Sequence, residues 1–352
     1  MLIPICWLGS LPPVRRWLPE DPVRTGRRIG REIFGAAMVL INQWFAPMTM
    51  YITAEGMSLG ELFEDGVVSE WGDLKLPSRV VVMANHQTYP DFLYIWVFAY
   101  LAKLHGAMLI LLKSGFEHLL LIGSGMKFFD FVFLRRQWGA DRANITARLE
   151  RAKGGWERDN PLALLIFPEG TVLSEGTRSK MYAFAKKTDQ FKLPKHCLLP
   201  RVTGLYHILD KLQDGNVDYL YDLTMAFSGL GADEIAEDVY KLVDSFWYGE
   251  NAERLHIRVR RWHISTEVPV QEGVEAFGAW LNERWLEKDQ MLERFYATGS
   301  LALGATEAER EDETVVQPMC VRSRTHDLAP VALLFGIYWM AWRLVCTVFS
   351  YL

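Results

Sequence analysis

Short apolar runs alternate with amphipathic segments through the middle of the chain. Apolar runs of four to eight residues bounded by Gly, Pro or polar residues are typical of buried strands, whereas apolar positions spaced three and four apart indicate helices. Strands are predicted over residues 79–84, 107–112, 131–134, 162–167, 217–227 and 255–264. Helices are predicted over residues 141–156 and 274–295, and a further helix from Asp91 onward. This alternation predicts an α/β fold in which a mostly parallel sheet is flanked by helices.

Two longer apolar stretches lie towards the ends of the chain. Residues 33–54 carry no charge and are long enough to cross a bilayer as a helix, but Pro47 interrupts them, so a re-entrant hairpin or an interfacial helix pair competes with a straight crossing. Residues 328–352 contain Arg343 as their only charge, with tryptophans and tyrosines suited to a membrane interface. The pattern therefore predicts membrane-associated helices near the N-terminus and a C-terminal anchor helix. The alternative at the C-terminus is a buried helix, because an arginine inside a bilayer is costly.

The composition is consistent with a folded chain that associates with a membrane. The chain has 352 residues, of which 50% are hydrophobic and 13% aromatic, and its mean hydropathy is +0.02. A net charge of −5 gives no electrostatic case for a nucleic-acid partner. The four cysteines lack the spacing of metal ligands, so no metal site is predicted. Arginines precede both apolar stretches, six of them before residue 33 and Arg322 and Arg324 before residue 328. If both stretches crossed the membrane, one basic flank would lie on the wrong side, so a re-entrant first segment is favoured, which leaves both flanks and the middle of the chain in the cytosol.

A histidine and an aspartate follow the first predicted buried strand. His86 and Asp91 are five positions apart across a turn from strand to helix, so the carboxylate can reach the imidazole. An aspartate that accepts from one ring nitrogen makes the other nitrogen a general base for an alcohol. The spacing also fits a simpler arrangement, in which Asp91 caps the helix and His86 is hydrogen-bonded in the turn.

Three further loops follow predicted strands. Residues 167–171 read Phe-Pro-Glu-Gly-Thr, in which Gly170 permits an unusual backbone conformation and Glu169 can hold a hydroxyl or an arginine. Arg135 and Arg136 end another strand and offer guanidinium groups for a phosphate. Residues 199–205 place Arg201 between a proline and a glycine. Taken singly, residues 167–171 also fit a tight turn with a helix cap, the two arginines fit a solvated face, and residues 199–205 fit a simple turn.

The ordered set of Asn-His-x-x-x-x-Asp, Phe-x-Phe-x-x-Arg, Phe-Pro-Glu-Gly-Thr and Leu-Pro-Arg-x-x-Gly resembles the glycerolipid acyltransferases. The resemblance covers about residues 75–229 and is closest to the eukaryotic branch that acylates lysophosphatidic acid, lysophosphatidylinositol or lysocardiolipin. It implies an acyl-CoA-dependent O-acyltransferase, with 1-acyl-sn-glycerol-3-phosphate as the expected acceptor and phosphatidic acid as the product. Acyl-CoA would be a co-substrate, and no cofactor is expected.

The resemblance also implies roles for individual residues. His86 would be the general base and Asp91 would orient it. The residues expected to bind substrate are Arg136, Glu169, Gly170, Thr171 and Arg201, and Arg135 is the alternative to Arg136 as phosphate ligand. The sequence contains neither a Gly-x-Ser-x-Gly elbow nor a plausibly activated cysteine, so no covalent acyl-enzyme is required.

The predicted organisation has six parts. They are a basic N-terminal flank (1–32), a membrane-associated segment (33–54), the acyltransferase domain (75–229), a C-terminal α/β extension (230–302), an acidic linker (303–327) and a transmembrane segment (328–352). The resemblance implies a location in a membrane, the endoplasmic reticulum, with the catalytic domain facing the cytosol. Three other functions stay open: a remodelling acyltransferase that acts on lysophosphatidylinositol or lysocardiolipin, a CoA-independent transacylase, and an inactive membrane-anchored lipid-binding protein.

Overall fold

A computed structural model describes most of the chain between residues 22 and 322. The described residues are 22–63, 73–118, 131–135, 137–153, 161–187, 192–213, 216–304, 306, 313–322, 332 and 336. Their strands are β1 (Thr49–Glu55), β2 (Arg79–Ala84), β3 (Met108–Lys113), β4 (Val132–Leu134), β5 (Leu162–Ile166), β6 (Tyr219–Phe227), β7 (Arg254–His263) and β8 (Thr314–Pro318). Their α-helices are α1 (Pro22–Phe45), α2 (Leu59–Leu62), α3 (Asp91–Leu101), α4 (Trp138–Lys153), α5 (Glu175–Lys187), α6 (Val202–Leu212), α7 (Ala236–Val239), α8 (Ile264–Glu267) and α9 (Val274–Thr298).

The strands form one sheet in the order β4-β3-β5-β2-β6-β7-β1-β8. Neighbouring strands from β4 to β6 run parallel, and β1 runs parallel to β7. The pairs β6 with β7 and β1 with β8 are antiparallel. The predicted α/β fold with a mostly parallel sheet flanked by helices is therefore confirmed.

The central strand β2 is buried on both faces, which explains its unbroken apolar sequence. Because successive side chains alternate, Val80 and Val82 face a core that α1 and α3 complete, while Val81 and Met83 face a second core beneath α4, α6 and α9. The sheet thus lies between two helical layers. Its edge at the carboxyl ends of β2 to β5 carries the loops that the sequence singles out.

The first long apolar stretch, residues 33–54, is divided between a helix and the sheet. α1 ends at Phe45, and residues 49–54 belong to β1, which pairs with β7 and β8. A helical second half is therefore a wrong prediction; the charge-free sequence reflects a strand between two others. Within α1, the side chains of Ala36, Val39 and Leu40 are buried in the protein core.

The predicted acidic linker, residues 303–327, also needs a correction. Residues 314–318 form β8, an edge strand beside β1. Five residues with a polar surrounding gave too weak a pattern to be predicted as a strand. None of the helices formed by the described residues has both the length and the apolarity that a membrane crossing requires. The predicted anchor over 328–352 and residues 1–21 of the basic flank lie outside the described residues, apart from positions 332 and 336.

Candidate active site

His86 and Asp91 are in direct contact at the carboxyl end of β2. The Nδ1 atom of His86 lies 3.0 Å from Oδ2 of Asp91, whose side chain is fully buried. The same carboxylate accepts hydrogen bonds from the backbone of Gln87 and Thr88 and from the Thr88 hydroxyl, at 2.6 to 3.0 Å. Asp91 therefore fixes the turn and orients the imidazole. The simpler arrangement, in which Asp91 caps the helix, is wrong, because Pro90 is the N-cap and the Asp91 carboxylate accepts from residues before the helix.

The imidazole of His86 is held on its flat side as well. Its ring stacks on Phe167, with the ring centres 4.2 Å apart, and 16% of its side chain is exposed. With Nδ1 engaged by Asp91, the Nε2 atom makes no hydrogen bond to any residue that the structure describes. This leaves one ring nitrogen able to receive a proton from a bound alcohol.

Asn85 fixes the backbone immediately before the histidine. Its side-chain amide donates to the carbonyl of Met225 at 2.9 Å, and its side-chain oxygen accepts from the Met225 N–H at 2.8 Å. The fully buried side chain thus continues the pairing of β2 with β6 beyond the end of the β2 strand. His86 consequently leaves the sheet from a rigid point.

The loop after β5 meets the histidine loop, because β5 is the strand next to β2. The Glu169 side chain is 2% exposed and accepts hydrogen bonds from the backbone N–H of His86 at 3.1 Å and of Leu198 at 3.0 Å. The indole N–H of Trp285 on α9 donates to the same carboxyl group at 3.3 Å. Burial raises the pKa of Glu169 to about 8, and the nearby Asp91 charge adds to the increase. Glu169 is thus placed to support the histidine loop and lies out of reach of solvent.

Gly170 and Arg201 lie against each other beside this loop. Gly170 has φ +69°, in the left-handed region that favours glycine, and its N–H donates to the Phe167 carbonyl at 2.9 Å. A Cβ at this position would approach Arg201 Nε to 3.1 Å. Arg201 is exposed, and its backbone N–H bonds to the Pro168 carbonyl. Thr171 follows directly and is half-buried. Gly170, Thr171 and Arg201 thus lie together beside the loop that carries His86.

Two arginines follow β4, and the structure describes only the first of them, Arg135. Arg135 is exposed, and its backbone N–H donates to the buried carboxylate of Asp141 at 2.7 Å. Gln137 donates to the other oxygen of Asp141, so this carboxylate sets the path of the chain into α4. Arg136 lies outside the described residues.

α9 also contributes to the site, although none of the motif-bearing loops points to it. Besides Trp285, α9 contributes Lys288, which is 1% exposed and forms a buried ion pair with Asp222 of β6. The Lys288 Nζ also donates to the Leu223 carbonyl at 2.7 Å. A lysine three positions after a tryptophan on an otherwise apolar helix face is the only sequence signal that pointed to this contact.

Glu237 is a second carboxyl group near the histidine loop that the sequence did not reveal. It follows the β6 strand, and its Oε2 accepts from the Tyr89 N–H at 2.7 Å. Partial burial raises the pKa of Glu237 to about 7, and the Asp91 charge contributes. Its contact with Tyr89 ties the segment after β6 to the turn between His86 and Asp91.

Comparison with known proteins agrees with this geometry. Residues 70–228 match the family model of the acyltransferases, and residues 245–323 match that of the acyltransferase C-terminus. A protein of Saccharomyces cerevisiae named 2-acyl-1-lysophosphatidylinositol acyltransferase is 30% identical over 342 residues, which cover 86% of this chain and 82% of the relative. The chain belongs to the acyltransferase family.

Two other relatives of this acyltransferase match shorter stretches. An uncharacterized acyltransferase of Schizosaccharomyces pombe is 40% identical over 222 residues, covering 63% of the chain and 61% of the relative. Lysocardiolipin acyltransferase 1 of Danio rerio is 31% identical over 304 residues, covering 85% of the chain and 67% of the relative. The match to the S. pombe protein thus spans less than two thirds of that relative.

Proposed function

We propose that this acyltransferase transfers a fatty acyl group from acyl-CoA to a free hydroxyl of a lysophospholipid. The observation that carries the proposal is the hydrogen bond from His86 Nδ1 to the buried carboxylate of Asp91, with Nε2 left to face a substrate. The names of the relatives support a lysophospholipid acceptor. The resemblance favours 1-acyl-sn-glycerol-3-phosphate, with lysophosphatidylinositol and lysocardiolipin as the alternatives, and relatives are named for acyltransferases of each kind. All three lipids carry a glycerol phosphate.

The proposed reaction is a single displacement. Nε2 of His86 takes the hydroxyl proton while the hydroxyl oxygen attacks the thioester carbonyl carbon, so an O–C bond forms. The C–S bond then breaks, and the departing CoA sulfur takes the proton back from the imidazolium. Asp91 keeps Nδ1 protonated and stabilises the transient positive charge.

The loops around His86 would position the acceptor. Arg201 is exposed beside Gly170, so its guanidinium is suited to the acceptor phosphate, with Gly170 and Thr171 forming the rim. Arg136 keeps its predicted role as a phosphate ligand as part of this proposal. Glu169 is predicted from the sequence to bind the acceptor, but its 2% exposure favours an indirect role through the His86 backbone.

The decisive experiment measures CoA release by the purified full chain with oleoyl-CoA and a panel of lysophospholipids. We expect His86→Ala to lower kcat by at least about 100-fold, the scale of general-base catalysis. His263→Ala, on β7, is the control and should retain wild-type activity. An unchanged rate of acyl transfer in His86→Ala would contradict the proposed mechanism. Transfer only from a phospholipid donor would identify a transacylase, and lipid binding without any transfer would favour the inactive lipid-binding protein.

A membrane location belongs to the same proposal, since lysophospholipids reside in membranes. Large aromatic side chains are exposed at the end of α1, namely Trp44 and Phe45, and in the helical turn Asp244–Tyr248, which contacts α1. Such side chains favour a lipid–water interface. Glycosylation reporters fused to each end of the chain, expressed in cells, would test the expected endoplasmic-reticulum membrane and the cytosolic orientation of the catalytic domain; glycosylation at both ends would contradict that orientation.

A further inference from the structure

A cavity of about 390 Å³ lies beside the carboxyl ends of β3 and β4. Its lining residues are Ser114, Glu117, Phe133, Arg135, Asn144 and Arg148. Two arginines face one glutamate, so the lining carries a net positive charge. Asn144 and Arg148 are one helical turn apart on α4, which places both on the same face of the helix.

The strand register places this cavity on the same level of the sheet as His86. Val82 of β2 aligns with Leu165 of β5, which aligns with Ile110 of β3. His86 and Ser114 each follow four positions later in the chain, just beyond the ends of β2 and β3. Lys113 aligns with Leu134, so Arg135 stands beside Ser114 in the same row.

The lateral distance from His86 to the cavity follows from the strand order. β3 is two strands from β2 and β4 is three strands away, with β5 between. At about 4.8 Å per strand, Ser114 and Arg135 lie about 10 and 14 Å from His86 along the sheet edge. A phosphate bound in the cavity would thus be held well away from the reacting atoms.

This distance decides which of the two substrates of the proposed reaction can place a phosphate in the cavity. In a lysophospholipid the phosphorus is at most five bonds from the free hydroxyl, which limits their separation to about 8 Å at about 1.5 Å per bond. In acyl-CoA the pantetheine arm puts more than a dozen bonds between the thioester carbon and the nearest phosphate, so it spans the required distance easily. A hydroxyl at His86 would keep the acceptor phosphate near Arg201, outside the cavity.

We infer that the cavity lined by Arg135 and Arg148 binds a phosphate group of the acyl donor's CoA moiety. The inference rests on the proposed function. Guanidinium groups suit phosphate oxygens because they donate two parallel hydrogen bonds, and the Ser114 hydroxyl and the Asn144 amide offer further donors. The carboxylate of Glu117 limits the positive charge, which would disfavour retention of CoA after the reaction.

The test compares two donors in the purified full chain: oleoyl-CoA and oleoyl-pantetheine, which has no phosphate. Arg135→Gln and Arg148→Gln should each raise the KM for oleoyl-CoA about tenfold while leaving kcat/KM for oleoyl-pantetheine and the KM for the lysophospholipid unchanged. Arg142→Gln, on the exposed side of α4, is the matched control and should behave as wild type. Arg148→Lys should recover part of the loss, because lysine restores the positive charge but cannot donate the two parallel hydrogen bonds of a guanidinium group.

Binding of free CoA, measured by calorimetry, separates this inference from the proposed function. If wild type binds CoA and Arg148→Gln binds it about tenfold more weakly, the cavity assignment stands even if no lysophospholipid in the panel is acylated. Equal losses with both donors, a raised KM for the acceptor alone, or undiminished CoA binding by both arginine variants would overturn it. Circular dichroism of each variant checks that the fold is retained, and a misfolded Arg148→Gln is replaced by Ser114→Ala, which should weaken CoA binding in the same direction.

Discussion

The indole N–H of Trp285 bonds to Glu169, 116 positions earlier in the chain, and Glu169 in turn accepts the backbone N–H of His86. A helix from the region that matches the acyltransferase C-terminus model thereby supports the turn that carries the imidazole. The segment that follows the motif-bearing loops is thus part of the architecture of the site.

Trp285→Phe should weaken this support while leaving an aromatic ring in the core. Loss of one hydrogen bond to a buried carboxyl group is expected to lower the free energy of unfolding by about 1 to 3 kcal/mol. Because the affected group positions His86, we expect kcat to fall severalfold with little change in KM. Trp280→Phe on the same helix, where the ring packs on Trp262, is the control for general loosening. Equal losses of kcat in the two variants would contradict a positioning role for Trp285.

Asp91→Asn should nearly abolish acyl transfer in a protein that still folds. The new amide can donate to Nδ1 of His86, which would favour the tautomer with the proton on Nε2 and so remove the base. We expect kcat to fall by at least about 100-fold. Steady-state kinetics and the thermal midpoint would be measured together, with Thr88→Ser as a control that keeps the hydroxyl donor to the same carboxylate. A variant with high activity and normal stability would show that Asp91 has only a structural part.

Glu169 should make stability depend on pH. Its pKa is about 8 in the folded protein and near the ordinary value of 4.5 in the unfolded chain. Between these values the folded state holds the extra proton, so a rise in pH from about 5 to about 8 destabilises it, by at most about 1.4 kcal/mol per pH unit. Urea denaturation of wild type and Glu169→Gln across this range would show the variant losing less stability as the pH rises. Glu175→Gln, at an exposed position on α5, should retain the wild-type slope; a Glu169→Gln slope parallel to wild type would refute the assignment.

The parts of the fold that were predictable are those in which a local pattern and tertiary burial agree. Strand β2 spans residues 79–84 as predicted, because both of its faces are buried and its sequence is uniformly apolar. Residues 49–54 misled the prediction for a related reason. An uncharged run suits an inner strand and a membrane segment equally, and only its pairing with β7 and β8 decides between them.

The candidate site likewise combines contacts that were predictable from the sequence with contacts that were not. The contact of His86 with Asp91 was predictable because five residues across a turn limit the geometry. The supporting contacts of Glu169 with Leu198 and Trp285 were not, because they depend on how α9 crosses the second core. The arginine cavity likewise depends on the register of β3 and β4, which the sequence of either strand alone leaves undetermined.

The place of β1 in the sheet has a consequence for biosynthesis. This N-terminal strand lies between β7 and β8, so both of its hydrogen-bonding partners are translated about 200 or more residues later. At about 5 to 20 residues per second, the ribosome needs on the order of 10 to 40 seconds to deliver β7 after β1 has left the tunnel. Throughout that interval the apolar strand has two open edges, and other nascent chains or chaperones compete for them. In the cell, the delay between these strands therefore makes early handling of the N-terminal third a determinant of how much functional protein accumulates.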